Sequence, residues 1–338
     1  MIHSRLPAGI GLPPIPPDRP RPARVAITGA TGFIGRRLAL HLHRNGDRVR
    51  ALVRDPQRAS TLLDPAVELV VGDLSSAAAL ARLVADCDAV IHCAGAVRGR
   101  GYCDFASANV AGVEQVLAAL RAQPETRLLA LSSLAAREPG LSPYAASKRA
   151  GEQVLLAQGD GVAWTILRPP AVYGPGDREL LPLFRLMARG LAPVPGRLSD
   201  RVSLLYVEDL IAAVATWVRA AAPPKGIFTL GDPSEAGYSW AEIIAVASQV
   251  CGRRVRPLPG PRMALDVAAR VNWWSAAALG YAPMLTPAKV RELRHPDWVC
   301  GWRELAAALD WQPRVALAEG LRLTLAASPA TASHRLRS

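Results

Sequence analysis

Thr28-Gly29-Ala30-Thr31-Gly32-Phe33-Ile34-Gly35 joins a short apolar, β-branched run, "VAIT", to a stretch of helical periodicity, "RRLALHLHRNG", that ends at Gly46. Gly29 permits a tight turn and Gly32 lets a pyrophosphate approach the backbone. Gly35 allows close packing of helix on strand, and the helix N-terminus then faces the phosphates. Three glycines at a strand-to-helix junction therefore predict a dinucleotide site, whereas the same residues elsewhere would predict only a turn. The next strand, "RVRALVR", ends in "LVRDP". An acidic residue there would bind the free 2′-hydroxyl of NAD. Arg54 suits a 2′-phosphate instead, clamped bidentately with Arg36 or Arg58 assisting. NADP is expected over NAD, and Asp55, one residue late for the usual position, is the rival reading. Asp73 in "VVGDL" would lie where the adenine amine could donate to it, unless it is spent capping a helix.

Working outward, "VELVVGDL" reads as a strand and "SSAAALARLVADC" as a helix opened by serine caps. "DAVIHCAG" is a strand, "FASANVAGVEQVLAALRAQ" a helix and "RLLALSS" a strand. A helix begins near Tyr144, and "VAWTILRPP" is a further strand. Strands and helices alternating at this spacing predict an α/β fold: a doubly wound parallel sheet with helices on both faces. Beyond Pro169 the elements shorten between prolines and glycines, although "RVSLLYVEDLIAAVATWVR" and "GIFTLGD" still read as sheet-associated pieces. The division expected is a Pro-rich disordered leader at 1–22, a nucleotide-binding domain at 23–175, a smaller interleaved substrate-binding region at 176–330 with segments returning to the sheet, and a tail at 331–338.

The chain of 338 residues carries a net charge of +12, with a pI near 10.2. Its basic residues are dispersed arginines, with Lys148, Lys225 and Lys289 the only lysines, so no patch predicts nucleic acid as a partner. The five cysteines (Cys87, Cys93, Cys103, Cys251, Cys300) contain no C-x-x-C and the histidines are scattered, so reduced thiols in the cytoplasm and no metal are expected. Apolar stretches such as "LLYVEDLIAAVATWVRAAA" are interrupted by charge before they could span a membrane. His41 and His43 read as surface-helix residues, His92 as a satisfied packing residue and Cys93 as a small core residue.

"YAASK" places Tyr144 and Lys148 four apart on one helix face. With "TGATGFIG", "GDL", "HCAG", "ANVAGVEQVL", "LSS", "YAASK", "LRPPAVYGPGD" and "ALDWQPRVALAEGL" in this order, residues 24 to 325 resemble the extended or atypical short-chain dehydrogenase/reductases of the epimerase/dehydratase-like group, which have a Rossmann fold. The resemblance implies an NAD(P)-dependent oxidoreductase with Tyr144 as general acid/base. Lys148 would be its partner and hold the nicotinamide ribose, and its ammonium should lower a phenol pKa that starts near about 10. It also implies Asn109 steadying the lysine's surroundings, and Ser133, with Ser132 in reserve, donating to the reacting carbonyl. The cofactor contacts it implies are Gly29, Thr31, Gly32, Phe33, Ile34, Gly35, Arg54, Asp73, Leu74, Ala94, Tyr144, Lys148, Pro169 and Val172. The last two border the nicotinamide.

Many sugar epimerases carry "SSS" where this chain has "SSL", with Leu134 in the third place. Arg178, Arg185, Arg197 and Arg201 could still contact a nucleotide-sugar phosphate, so an epimerase or dehydratase is one alternative. A net reductase fits Arg54 better. The segment "RMALDVAARVNWWSAAALGYAPMLTPAKVREL", with its Trp273-Trp274 pair, reads either as a helix over the substrate pocket or as a peripheral contact with the inner-membrane surface. Both favour an apolar substrate. This part resembles the bacterial ceramide reductases and, more distantly, the Rossmann-fold accessory subunit of respiratory complex I. The first resemblance implies reduction of the 3-keto group of a 3-oxo-ceramide-type lipid, the second a non-catalytic NADP-binding structural role.

Overall fold

The computed structural model describes residues 22–258 and 262–327. The Pro-rich leader before residue 22 and the tail at 331–338 lie outside the described residues. β1 (Arg24–Thr28) sends Val25 and Ile27 into one apolar core and Ala26 into another, all fully buried. That is the signature of a strand covered on both faces. α1 (Phe33–Arg44) buries Leu38, Ala39 and Leu42 and is followed by Gly46 at φ +87°. After β2 (Arg48–Val53), the short α2 (Pro56–Ser60) is capped by Asp55, and β3 (Glu68–Val71) follows. Ser76 caps α3 (Ala77–Val84) by accepting from Ala79 N, and β4 (Ala89–His92) is buried throughout.

The next helix is not the single run that its apolar spacing predicts. α4 (Tyr102–Ala106) passes through a π-helical turn at Ser107–Ala111 into α5 (Gly112–Leu120). One inserted residue keeps both flanks helical, so the sequence pattern hides it, although such bulges favour functional sites. β5 (Arg127–Leu131) leads through a 3₁₀ turn at Leu134–Arg137 into α6 (Pro143–Gln158). Ser142 caps α6 by accepting from Ala145 N at 3.0 Å, with Pro143 in the first turn. β6 (Trp164–Arg168) completes this half.

The second half runs β7 (Ala171–Tyr173), α7 (Leu181–Ala188), β8 (Leu191–Pro193), β9 (Arg201–Val202), β10 (Leu204–Tyr206), α8 (Val207–Arg219), β11 (Gly226–Thr229) and β12 (Tyr238–Ser239). It continues through α9 (Trp240–Cys251), β13 (Arg256–Leu258), α10 (Arg262–Leu279), α11 (Pro287–Leu293), β14 (Asp297–Trp298), α12 (Arg303–Leu309) and α13 (Leu317–Ala326). β11 pairs in parallel with β6, giving a wholly parallel seven-stranded sheet in the order β11-β6-β5-β4-β1-β2-β3. Its strand order reverses between β1 and β4, the crevice where open α/β sheets take ligands.

α1, α8 and α12 contribute to the core on one face, and α3, α5 and α6 to the core on the other. α8 is fixed at both ends. Asp209 accepts from Arg314 N and Val315 N at 3.1 and 2.9 Å, and Arg127 donates to the carbonyls of Val218 and Ala220. Arg127 thereby satisfies carbonyls that the helix end leaves unpaired. A third core, built on Tyr173, Phe184, Tyr206, Trp240 and Ile243, forms the smaller lobe.

Candidate active site

The crevice opens into a cavity of about 970 Å³. Its floor is the glycine turn. Gly29 has φ +70°, and a Cβ on it would stand 2.6 Å from Ala94 N; one on Gly35 would collide with Gly29 O. Gly32 N donates to Gly29 O at 3.0 Å, and Gly32 also begins α1, whose first turn carries no acidic residue. Thr31, Phe33 and Ile34 line the cavity beside these glycines, as do Pro169 and Val172 across it. Exposed backbone at a positive helix end suits a diphosphate. Arg36 adds a second sign of fit: its guanidinium borders the cavity, and its Nε is buried without a hydrogen-bond partner.

The arginines divide differently from expectation. Arg36 and Arg58 line the cavity, whereas Arg54 lies outside its lining, exposed after β2. The rival Asp55 is spent on α2, accepting from Arg58 N at 3.0 Å. Asp73 accepts from Ser75 N and Ser75 Oγ at 2.9 and 2.6 Å. Those bonds hold its carboxyl below the usual range, with the Arg54 charge helping. Leu74 packs beside Gly112, away from the cavity lining.

On the opposite wall stand Ser133, Tyr144 and Lys148. Ser133 caps the 3₁₀ turn, its Oγ accepting from Ala135 N, and is hydrogen-bonded to the Tyr144 hydroxyl. The reserve residue, Ser132, is not brought to Tyr144: its hydroxyl donates to Glu152 at 2.5 Å. Lys148 Nζ donates to Leu131 O at 3.1 Å. Asn109, buried in the π turn, accepts from Ala96 N and donates to Ala96 O and Ser147 Oγ. It therefore ties the loop after β4 to α6.

The charges depart from the expected lowering of the phenol. Burial pushes Tyr144 up to about 12, against the Ser133 hydrogen bond, while the Glu292 carboxylate raises it further. Burial also pulls Lys148 down to about 8, with Cys93 and Glu152 opposing. His92 corrects a simpler expectation too. Nδ1 is bonded to Thr28 Oγ1 at 2.9 Å, but Nε2 is buried with no partner, and burial holds the ring neutral, its pKa lowered to about 3. Burial pushes the thiol of Cys93, which also borders the cavity, up to about 12.

Residues 25–231 match the family described as the NAD dependent epimerase/dehydratase family. The chain belongs to it. A ceramide reductase of Caulobacter vibrioides is 42% identical over 277 residues, 81% of this chain and 85% of its own. A 2-alkyl-3-oxoalkanoate reductase of Stenotrophomonas maltophilia is 30% identical over 336 residues, 91% of this chain and 100% of its own. Among solved structures, the UDP-glucuronic acid 4-epimerase of Bacillus cereus in complex with UDP-glucuronic acid and NAD has a TM-score of 0.70 at 18% identity, covering 90% of this chain and 98% of its own. At that identity the likeness shows the fold. The protein is an NAD(P)-dependent oxidoreductase of the epimerase/dehydratase family.

Glu152, Arg168, Lys289, Glu292 and Ser142 support this site, and the sequence did not single them out for it. Glu152, two helical turns beyond Tyr144 on the same face of α6, is buried and takes a bidentate pair from Arg168, at 2.7 and 2.5 Å. The spacing Tyr144, Lys148, Glu152 could have revealed it. Lys289 sits over the Tyr144 ring, 5.6 Å from its centroid, and pairs with Glu292 at 2.6 Å. Glu292 in turn accepts from Ser142 Oγ, so α11 is tied to the cap of α6. No local spacing reveals that contact.

Proposed function

We propose that the protein uses NADPH to reduce a ketone on an apolar, lipid-like substrate, of which the 3-keto group of a 3-oxo-ceramide is the best candidate. One observation carries the reading. The Ser133–Tyr144 pair faces a cavity to which Leu180, Leu183, Phe184, Ile243, Met284, Leu285 and Leu293 bring apolar side chains, beside charged ones such as Asp177, Arg178, Lys289 and Glu292. The apolar part of that lining suits an acyl chain better than a sugar. Of the arginines that could have held a nucleotide sugar, Arg178 lines the cavity, while Arg201 is engaged by Ala236 O, Gly237 O and Glu242. The names of the two reductase relatives point the same way.

A reduced nicotinamide cofactor, held through its diphosphate by the glycine turn, would supply the hydride. Everything else falls to this chain. Ser133 donates a hydrogen bond to the carbonyl oxygen and orients it. Tyr144, kept protonated by burial, gives its proton to that oxygen as the carbon is reduced. Lys148, cationic below about 8, stabilises the phenolate left behind. Arg58 and Arg36 line the cavity where a 2′-phosphate would be held, with the exposed Arg54 just outside that lining. Asp55, already committed to α2, leaves the NAD reading without its acid.

The test is NADPH oxidation with long-chain 3-oxo-ceramide, simple ketones and nucleotide sugars. Turnover is expected with the lipid ketone. Tyr144→Phe should lower kcat by roughly a hundredfold or more, and Arg54→Asp together with Arg58→Asp should raise KM for NADPH more than for NADH. Retained NADPH binding with no ketone reduced would instead support a structural role. Turnover of nucleotide sugars alone would return the chain to epimerase-type chemistry.

A further inference from the structure

We infer that the outward face of α10 docks on the surface of an anionic phospholipid bilayer. It deepens the lipid reading above by placing the surface from which such a substrate would be met, but the evidence for it is separate. A helix of a globular protein turns its apolar face to the core. α10 buries only the small Ala269 and Ala276 there and leaves most of its large apolar side chains exposed. Its Asp266 pairs inward with Arg294 at 2.8 Å, and Asn272 donates to Leu285 O at 2.8 Å and accepts from the Tyr281 hydroxyl at 2.6 Å. Trp273 lies under the Arg100 guanidinium, and its Nε1 points to Arg100 O.

Outward stand Met263, Val267, Val271 and Trp274, which are 74, 53, 58 and 67% exposed. Their spacing of four, four and three makes one stripe along the helix. Leu258 before the helix, Leu279 at its end and Tyr281 after it are exposed as well. Together these are seven of the fourteen exposed large apolar side chains among the described residues. Such a concentration marks an interaction surface rather than scattered exposure.

Charge decides the occupant. Between residues 253 and 281 the chain carries Arg253, Arg254, Arg256, Arg262 and Arg270 against a single acid, Asp266, which Arg294 already engages. Arg253, Arg254, Arg256 and Arg270 are exposed. A two-fold contact between copies would set this cationic surface against itself. A layer of anionic headgroups would neutralise it and take up the tryptophan and the aliphatic stripe. No helix among the described residues is long and apolar enough to cross a membrane, so α10 would lie in the interface plane. It runs directly into the linker whose Met284 and Leu285 line the cavity, so the docked face adjoins the wall that receives an acyl chain.

The full chain is to be floated with vesicles of phosphatidylcholine alone and of phosphatidylcholine mixed with phosphatidylglycerol, and Trp fluorescence and NADPH oxidation of a short, water-soluble ketone recorded in parallel. The expected result is binding to the mixed vesicles with a blue shift of emission. Binding should weaken by roughly tenfold in Arg270→Glu and be lost in the Val267→Asp, Val271→Asp double variant, with turnover of the soluble ketone unchanged. Absence of wild-type binding, or equal binding by the double variant, would overturn the proposal. So would a wild-type dimer that becomes monomeric in the double variant, since the face would then join two copies. Loss of soluble-ketone turnover in the wild type, with vesicle binding intact, would count against the reductase reading alone.

Discussion

Tyr144 and Lys148 are perturbed in opposite directions by the same burial, and the perturbations have a readable consequence. Reduction needs the phenol protonated and the ammonium charged. Tyr144 keeps its proton until about 12, whereas Lys148 loses its charge as pH rises through about 8. The kcat/KM for ketone reduction should therefore be flat on the acid side and fall above about 8. Lys148→Arg should move that fall upward, because a guanidinium stays charged. A limb that stays near 8 in Lys148→Arg would show that another group titrates. At this scale the sequence was most informative where the chemistry is local. The i, i+4 spacing put Tyr144 and Lys148 on one helix face, and the family resemblance added Ser133, with Ser132 in reserve. Lys289 and Glu292 reach Tyr144 only because α11 folds back onto the cap of α6. Arg54 was suggested by its place at the end of β2, while the arginines that line the cavity are Arg36 and Arg58, which the sequence offered only as assistants.

At the scale of elements, α6 must approach the π turn at backbone distance for Asn109 to reach both Ala96 and Ser147. Gly151 permits this, since a Cβ there would collide with Asn109 O. Gly151→Ala should therefore separate α6 from the turn. The expected cost is about 1–3 kcal/mol of stability, with a loss of kcat/KM as Tyr144 and Lys148 move relative to the loop after β4. Urea midpoints and steady-state kinetics of one variant check both effects, and a variant neutral in both would remove the close approach from the account. The parallel strands of the first half were legible because each is a continuous apolar run between turn signals. The π turn was not, since Asn109 and its neighbours keep the periodicity of an ordinary helix. The segment from Arg262 to Leu293 was expected either over the pocket or against a membrane, and its second part, Met284 and Leu285 of the linker with Lys289, Glu292 and Leu293 of α11, lines the cavity.

Across the whole molecule, the second half resisted reading because its strands are two to four residues long, and their partners lie far away in sequence. β11 extends the main sheet beside β6, while β9 is shared between β12 and β14. Stability, too, is set by contacts across that distance, and His92 shows how. Enclosed between Thr28 and the surroundings of Lys148, it has a pKa near 3 in the folded protein against 6.5 ordinarily, burial being the larger cause and the Lys148 charge the lesser. Between those values the unfolded chain binds the extra proton, so this contribution is complete above 6.5 and is lost as pH falls toward 3. Asp232, pushed up to about 6 by burial, has the opposite sign between 3.8 and about 6, so the histidine must be isolated by difference. His92→Asn can still face Thr28 and cannot take up a proton. Its unfolding free energy, measured in urea across that pH window, should fall less steeply in acid than that of the wild type. Equal slopes would mean that His92 already shares a proton in the folded state, and the neutral ring assigned to it would be wrong.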